Sequence, residues 1–386
     1  MKRKLKKLYK HFLKNLKLTN NLGKETARLE INCTGLASLS KSGAVDDFKV
    51  AIKTIAEIVP NKKANIYHES AMSTGKLMEQ EFVKKGYEVD FFGNIGVVKG
   101  CTKRLLFLGT ETSQTSLLGY RILKNKKRAR EFFKKAGVSI ARGKTFRQNE
   151  EKQARAFALK YMPAVIKPVG GNKGRGVTVG VKNEQEFNDA WNNAIKISRK
   201  GVLVEKQFEN GIEARYLVVG GKCEAVVQRI PPHVIGNGVA TLSTLIEEKN
   251  KKRMNHPLQE NKLIKLNDYR LGVIEKQGFG LSSIPPEGVV VVIDLKAGIS
   301  TGADSIDVTD EVHPTFKQIA ERVAAVVPGL DVIGVDILAH DHTRPSREDN
   351  YIVIEANTRP GISAHHFPVY GEPRNVAAKI VEHIIR

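Results

Sequence analysis

Two apolar runs in the last third of the chain carry oxygen ligands where a buried strand should have none. Residues 332–338 read VIGVDIL with one acid, Asp336; residues 351–357 read YIVIEAN with Glu355 and Asn357. Strand alternation puts Glu355 and Asn357 on one face. A lone acid in an apolar strand is costly to bury, so a partner is expected: a nearby Arg or Lys, or a hard cation. Oxygen-only donors suit Mg²⁺, with Mn²⁺ as the alternative, and Mg²⁺ also takes phosphate oxygens. A phosphate-type loop stands upstream. Residues 165–177 (VIKPVGGNKGRGV) deliver Lys167 on a β-branched run, then Gly170, Gly171, Gly174 and Gly176, with Lys173 and Arg175 among them. Glycines let backbone N–H groups turn toward an anion, and lysine suits phosphate. The spacing is neither the Walker pattern nor the dinucleotide fingerprint. A flexible surface hairpin is the alternative. Residues 202–208 (VLVEKQF) then present Glu205, Lys206 and Phe208 at a strand end that could meet an adenine edge. Glu213 and Arg215 follow on one face, suited to a ribose hydroxyl and a phosphate, or to an ordinary cross-strand ion pair.

These side chains need a scaffold of alternating strands and helices. Residues 46–58 and 71–86 have helical periodicity, and residues 87–92 and 105–109 read as strands. Residues 117–137 read as one or two helices stopped at Gly137. Beyond residue 164 strands and helices alternate, and residues 340–350 form a polar loop between two strand-like runs. The fold class is α/β (α+β). The N-terminal segment spaces Leu5, Leu8, Tyr9, Phe12, Leu13 and Leu16 as an amphipathic helix. Packing on its own protein is its plainest use; an anionic membrane surface or an acidic partner is the other.

The chain has 386 residues and a formal net charge of +22, with eight Lys/Arg and no acid in residues 1–18. Such a charge favours anionic partners but does not select a fold. With 41% hydrophobic residues, wholesale disorder is excluded; the longest apolar run, near residues 288–293, is far too short for a membrane span. With 6% aromatic residues, the chain lacks the aromatics interleaved with basic residues that mark RNA recognition. Nucleic acid is therefore disfavoured as a partner. Cys33, Cys101 and Cys223 have neither disulfide nor metal spacing, which fits a reducing cytoplasm. His340 and His342 lie in the polar loop and read as solvated. His365 and His366 follow the Asn357 turn, and no zinc site is assigned.

The order of these features is a helix with Lys126, a lysine strand with its glycine loop, a Glu-bearing hinge, an Asp strand and a Glu-x-Asn strand. It resembles the ATP-grasp superfamily over residues 110–386. Residues 299–310 (ISTGADSIDVTD), 313–314 (HP), 355–361 (EANTRPG), 231–245 and 256–258 look more closely like two of its branches. These are the ATP-grasp part of cyanophycin synthetase and the glutathione-synthetase-type domain of bifunctional glutamate–cysteine ligase/glutathione synthetase.

The resemblance implies an ATP-grasp fold with a small N-terminal α/β pre-domain. Its parts would be a basic helix (1–20), the pre-domain (21–112), linker helices (113–160), a nucleotide lid (161–220) and a catalytic subdomain (221–386). It implies ATP held by Lys126 and Lys167 (Lys127 remains open for the first) under the loop Gly170–Gly176. Glu205, Lys206 and Phe208 would form the adenine hinge, and Glu213 the ribose acid. Asp336, Glu355 and Asn357 would hold Mg²⁺, and Arg215 would face the phosphates and acyl group. The implied activity is a carboxylate–amine ligation through an acyl phosphate, on an amino acid or peptide, by a cytoplasmic homodimer. An ATP-grasp kinase, a carboxylase component or a basic binding protein are the alternatives.

Ser300 and Thr301 fall in the segment that resembles the substrate loop, with Asp304 or Asp307 orienting it or receiving the amine. The departures fall there too. Asp294 stands where an arginine is usual, with Lys296 nearby; Gly298 replaces Asn, Ala303 replaces Gly, and Arg359 occupies a position that is usually small or apolar. The nucleotide half is intact and the acceptor half is altered, which implies the same reaction on another substrate, one whose acidic group could meet Lys296 or Arg359. Cyanophycin synthetase carries a further ligase domain, and residues 1–110 are too short for a glutamate–cysteine ligase domain, so a stand-alone ligase is expected.

Overall fold

The computed structural model describes residues 62, 64–67, 72–101, 104–170, 175–295 and 297–386, with the backbone of strands Leu16–Thr19 and Arg28–Ile31. Those two strands pair antiparallel, Leu16 opposite Ile31. Residues 16–19, expected inside the basic helix of residues 1–20, are therefore in a strand, where cross-strand pairing overrides the helical spacing. Residues 1–15 and 20 of that helix and the helix expected over residues 46–58 lie outside the described residues, as do Gly171, Lys173, Gly174 and Lys296.

Contacts divide the chain into two units. The first comprises residues 1–72, 227–307 and 366–374; the second comprises 73–226, 308–365 and 375–386. In the second unit, helix Thr74–Lys84 starts at Ser73, whose hydroxyl accepts from the Lys76 amide at 3.2 Å. Strands Glu88–Phe92, Ile95–Lys99, Leu105–Leu108 and Glu111–Thr112 form one antiparallel sheet in that order. The helical stretch expected over 117–137 is two helices, Leu117–Leu123 and Lys126–Lys135, and Gly137 leaves the second at φ +64°.

A second antiparallel sheet orders Gly143–Phe146, Val202–Lys206, Ala164–Pro168 and Thr178–Val181. Helices Glu151–Lys160 and Glu184–Ile197 cover it, burying Ala154, Ala158, Phe187 and Trp191 with Ile166 and Val204. The third arrangement in this unit sets strand Ile212–Val219 between Lys222–Ile230 and Val332–Ala339, followed by Tyr351–Asn357. Helix Pro314–Ala325 buries Phe316, Ile319 and Val323.

In the first unit, Val227–Ile230 pairs with strand Asp304–Asp307. A smaller core gathers Val234, Leu242, Ile246, Ile274 and Val291 from strands His233–Ile235 and Val290–Val292 and helices Leu242–Met254 and Asp268–Lys276, with Ile264 from the loop between the helices. Among the described residues no helix is long and apolar enough to cross a membrane.

Candidate nucleotide and metal site

Three neighbouring strands align their charges in one rung. Arg215 is opposite Asp336 on one side, and Asp336 is opposite Glu355 on the other. Asp336 is buried. Arg215 grips it with Nε and Nη2, the latter at 2.6 Å. Burial alone would lower the Arg215 pKa; the Asp336 carboxylate outweighs it and raises the value above the ordinary arginine range. The partner expected for an acid in an apolar strand is therefore present. The register shifts between Asp336 and Ile337, a bulge that re-aims the Glu355 end of the last strand. Asn357 Nδ2 donates to Glu355 Oε1 at 3.1 Å and reaches Asp336 Oδ2 at 3.5 Å. Gly334 makes the approach possible. A Cβ there would stand 2.8 Å from Pro360 Cβ and 3.0 Å from Arg215 Cδ.

The lysines arrive from two other elements. Lys126 opens its helix behind the Asn125 cap, whose Oδ1 accepts from the Arg128 amide at 3.1 Å. A cation at a helix N-terminus opposes the macrodipole, so this placement is costly without an anion. Burial lowers the Lys126 pKa first; Glu355 and Glu205 pull it back up, and Lys167 pushes it down. Lys126 has no salt-bridge partner among the described residues.

Lys167 lies opposite Leu203, so Glu205 is its diagonal neighbour on the same sheet face, and the two form an ion pair. The Glu205 carboxylate is buried and also takes Arg130 Nη1. Gly143 leaves room, since a Cβ there would lie 2.6 Å from Glu205 Cγ. Glu205, read as a hinge residue, thus turns its side chain onto two cations. Lys206 is exposed at the strand end and donates its amide to Arg142 O at 2.8 Å. Phe208 stacks on His340, centroids 4.6 Å apart. Glu213 shares the Arg215 face and adds to the negative field around it. In the glycine loop, the Gly170 amide bonds Ser198 Oγ at 3.2 Å and Gly176 sits at φ +71°.

Arg130 was not singled out by sequence. It is one turn beyond Lys126, and Nη2 also reaches Ala141 O at 2.6 Å. Its only sequence signal is the i,i+4 spacing on one helix face.

His342 corrects the reading of a solvated loop. It is buried, with Tyr216 Oη at 2.9 Å from Nδ1 and Ile212 O at 2.8 Å from Nε2. Burial lowers its pKa to about 4. A strand more than a hundred residues earlier supplies both partners, so the loop's polar composition hides its burial. His340 is exposed and His365 is buried.

Ser300 and Thr301 belong to the first unit, in a single 3₁₀ turn, Ile299–Thr301, closed by Gly302 at φ +108°. Only glycine adopts that angle without strain. Asp294, at the position where the resemblance expects arginine, is buried against Arg270 (Nε–Oδ2 2.9 Å). Arg270 also donates to Thr301 O and, at 2.6 Å, to Lys265 O, which ties down the turn. Asp304 is enclosed by Lys249 at 2.7 Å, Arg253 Nη1 at 2.7 Å and Gln259 Nε2 at 2.8 Å. Burial would raise its pKa, but Lys249, His233 and Arg253 outweigh burial and hold it far below the ordinary carboxylate range. Asp307 pairs with Arg374 at 2.8 Å. Arg359, in the second unit, stands 3.7 Å from Glu111 and is about half exposed (53%).

The family described as carbamoyl-phosphate synthase L chain, ATP binding domain, matches residues 125–230. Cyanophycin synthetase of Synechocystis is 35% identical over 275 residues, 71% of this chain and 31% of that protein. The glutathione biosynthesis bifunctional protein of Clostridium perfringens is 30% identical over 335 residues, 83% of this chain and 42% of that protein. The crystal structure of a bifunctional glutathione synthetase from Pasteurella multocida superposes with a TM-score of 0.63 at 28% identity, over 81% of this chain and 44% of the other. The chain thus spans 31% to 44% of the length of these relatives.

Proposed function

The chain has the ATP-grasp fold and resembles the ATP-grasp parts of cyanophycin synthetase and bifunctional glutathione synthetase; from that premise we propose that it is an ATP-dependent carboxylate–amine ligase acting on an amino acid or peptide. The observation that carries the reading is the Arg215–Asp336–Glu355 rung, with Asn357 beside it and Lys126 and Lys167 in its field.

A substrate carboxylate oxygen attacks the γ-phosphorus of ATP, the bond to the β-phosphate oxygen breaks, and ADP leaves. The amine nitrogen then attacks the carbonyl carbon of the acyl phosphate. The C–O bond to phosphate breaks, a proton leaves the nitrogen, and inorganic phosphate carries off one carboxylate oxygen. The chain's work is positioning and charge neutralisation. Lys126 and Lys167 hold phosphate oxygens, and Glu205 with Arg130 fixes the Lys167 head. Glu213 suits the ribose, and the Phe208–His340 stack walls the base. Arg215, held by Asp336, sits where negative charge builds on the transferred group.

The donor set fits Mg²⁺: the carboxylates of Asp336 and Glu355 and the amide oxygen of Asn357 are hard oxygen ligands. When bound, the metal supplies charge neutralisation on the phosphates. Within the first unit, Arg270 holds the backbone of the turn whose Ser300 and Thr301 hydroxyls suit a polar substrate group.

The test is a screen of amino acids and short peptides for ATP-dependent phosphate release, with each acid run with and without amines. The reading expects ADP and phosphate only when acid and amine are both present. ADP formation that ignores every amine would point to a kinase and end the ligase reading.

A further inference from the structure

A cleft of about 570 Å³ lies within the second unit beside the turn that follows Asn357, and the nucleotide arrangement above does not use it. Its size suits a small-molecule ligand. The start of helix Thr74–Lys84, the hairpin residues Phe91 and Asn94, and residues 359–361 line it. Lys76 and Arg359 are the charged lining residues, and both are cationic. Lys76 is engaged by Glu79 at 2.6 Å and largely exposed.

Arg359 is set in place by its neighbours. Thr110 is buried, and its hydroxyl donates to Pro360 O at 2.9 Å, which fixes the turn. The Arg359 stem lies over Gly109 at φ +63°, where a Cβ would meet Arg359 Cγ and Cδ at 3.7 Å. Glu111 stands 3.7 Å from Nη1, too far for a strong hydrogen bond, and the guanidinium keeps a solvent-facing side. A half-exposed arginine at a cleft whose lining is more apolar than polar, with no acid among the lining residues, is suited to grip a planar carboxylate with two parallel N–H donors. Phe91 offers an apolar wall for the methylenes that carry the acid. A Cβ on Gly361 would meet nothing within 4 Å, so the floor stays open.

We infer that this cleft is the subsite for a carboxylate of the amino-acid or peptide substrate, and that Arg359 makes it prefer the acid over the amide. The identity of that ligand as a substrate rests on the ligase reading; the cleft's preference for a carboxylate does not.

The test is direct binding to the full chain without turnover. Calorimetric titrations use L-glutamate, L-aspartate and their dipeptides, each against its carboxamide, on the native chain, Arg359→Gln and Arg359→Lys. A fluorescent ATP analogue in the same samples reports that each variant is folded. The native chain is expected to bind acids about 10- to 100-fold more tightly than amides. Arg359→Gln should lose that preference, and Arg359→Lys should keep part of it. No saturable acid binding up to about 10 mM, or a preference that survives in Arg359→Gln, overturns the subsite. If binding behaves as expected while the phosphate-release screen fails, the ligase reading falls and the subsite stands; a successful screen with an Arg359-independent preference sinks the subsite alone.

Discussion

The Asp304 cluster of the first unit and the Glu355 cluster of the second handle charge in opposite ways. In the first unit, Asp304 is enclosed by Lys249, Arg253 and Gln259, and Asp294 by Arg270. Those cations also donate to backbone: Arg253 to Lys262 O and Arg270 to Thr301 O. These groups satisfy one another and hold loops. In the second unit, Arg215 and Asp336 close on each other, but among the described residues Glu355 and Lys126 have no ion-pair partner, and Glu355 accepts a hydrogen bond from the Asn357 amide. Closed clusters fix shape, while a cluster with charge to spare can take a charged ligand.

The largest effect should come from opening a closed cluster. Asp304→Asn leaves Lys249 and Arg253 buried without their acid, and is expected to cost about 3–5 kcal/mol of stability. Urea unfolding measures it; a loss below about 1 kcal/mol would mean that the cluster is not closed. Glu355→Gln tests the other side. It should lower kcat/KM about 10³-fold, equivalent to about 4 kcal/mol, while the unfolding midpoint stays near the native value. A large stability loss there would erase the contrast.

Acid should loosen both units by a shared route. Burial first, and then Lys249, lowers His233 to about 4; burial first, against a counter-pull from Asp304, does the same for His256, and burial for His342. Their folded pKa values are depressed, so the unfolded chain binds more protons between about pH 6.5 and 4. The stability they contribute is present above about 6.5 and is lost as pH falls toward 4, up to about 3 kcal/mol for each. His342→Gln should flatten its share of that slope in a pH series of unfolding curves. The smallest change is Gly334→Ala. The added methyl pushes Pro360 and Arg215 apart and should cost about 1–3 kcal/mol, with a weaker KM for ATP as the readout that separates misplacement from simple destabilisation.

The chemistry was most legible where a residue broke its local pattern. Asp336 and Glu355 stand out because they interrupt apolar strands, and the shared face of Glu355 and Asn357 follows from alternation, while the register that sets Asp336 opposite Glu355 came from the fold. Lys167 and the glycine loop stand out for the same reason. Arg130 was not legible, because the sequence of its helix (KKRAREFFKK) offers six cations and no sign of which one turns inward. Asp294 read as a loss of positive charge, since the arginine that answers it lies 24 residues earlier, on a helix whose pairing only the fold reveals. His342 was hidden in the same manner by partners from a distant strand. Side chains that act through long-range pairing leave little trace in local spacing.

The central claim is a carboxylate activated as an acyl phosphate before an amine displaces the phosphate. It is tested most directly by supplying, ¹⁸O-labelled in its carboxylate, whichever acid supports turnover in the screen, and analysing the released phosphate by mass spectrometry. The account expects one ¹⁸O per phosphate, with release dependent on the amine. Phosphate free of ¹⁸O, with both labelled oxygens kept by the acid or its product, would contradict it.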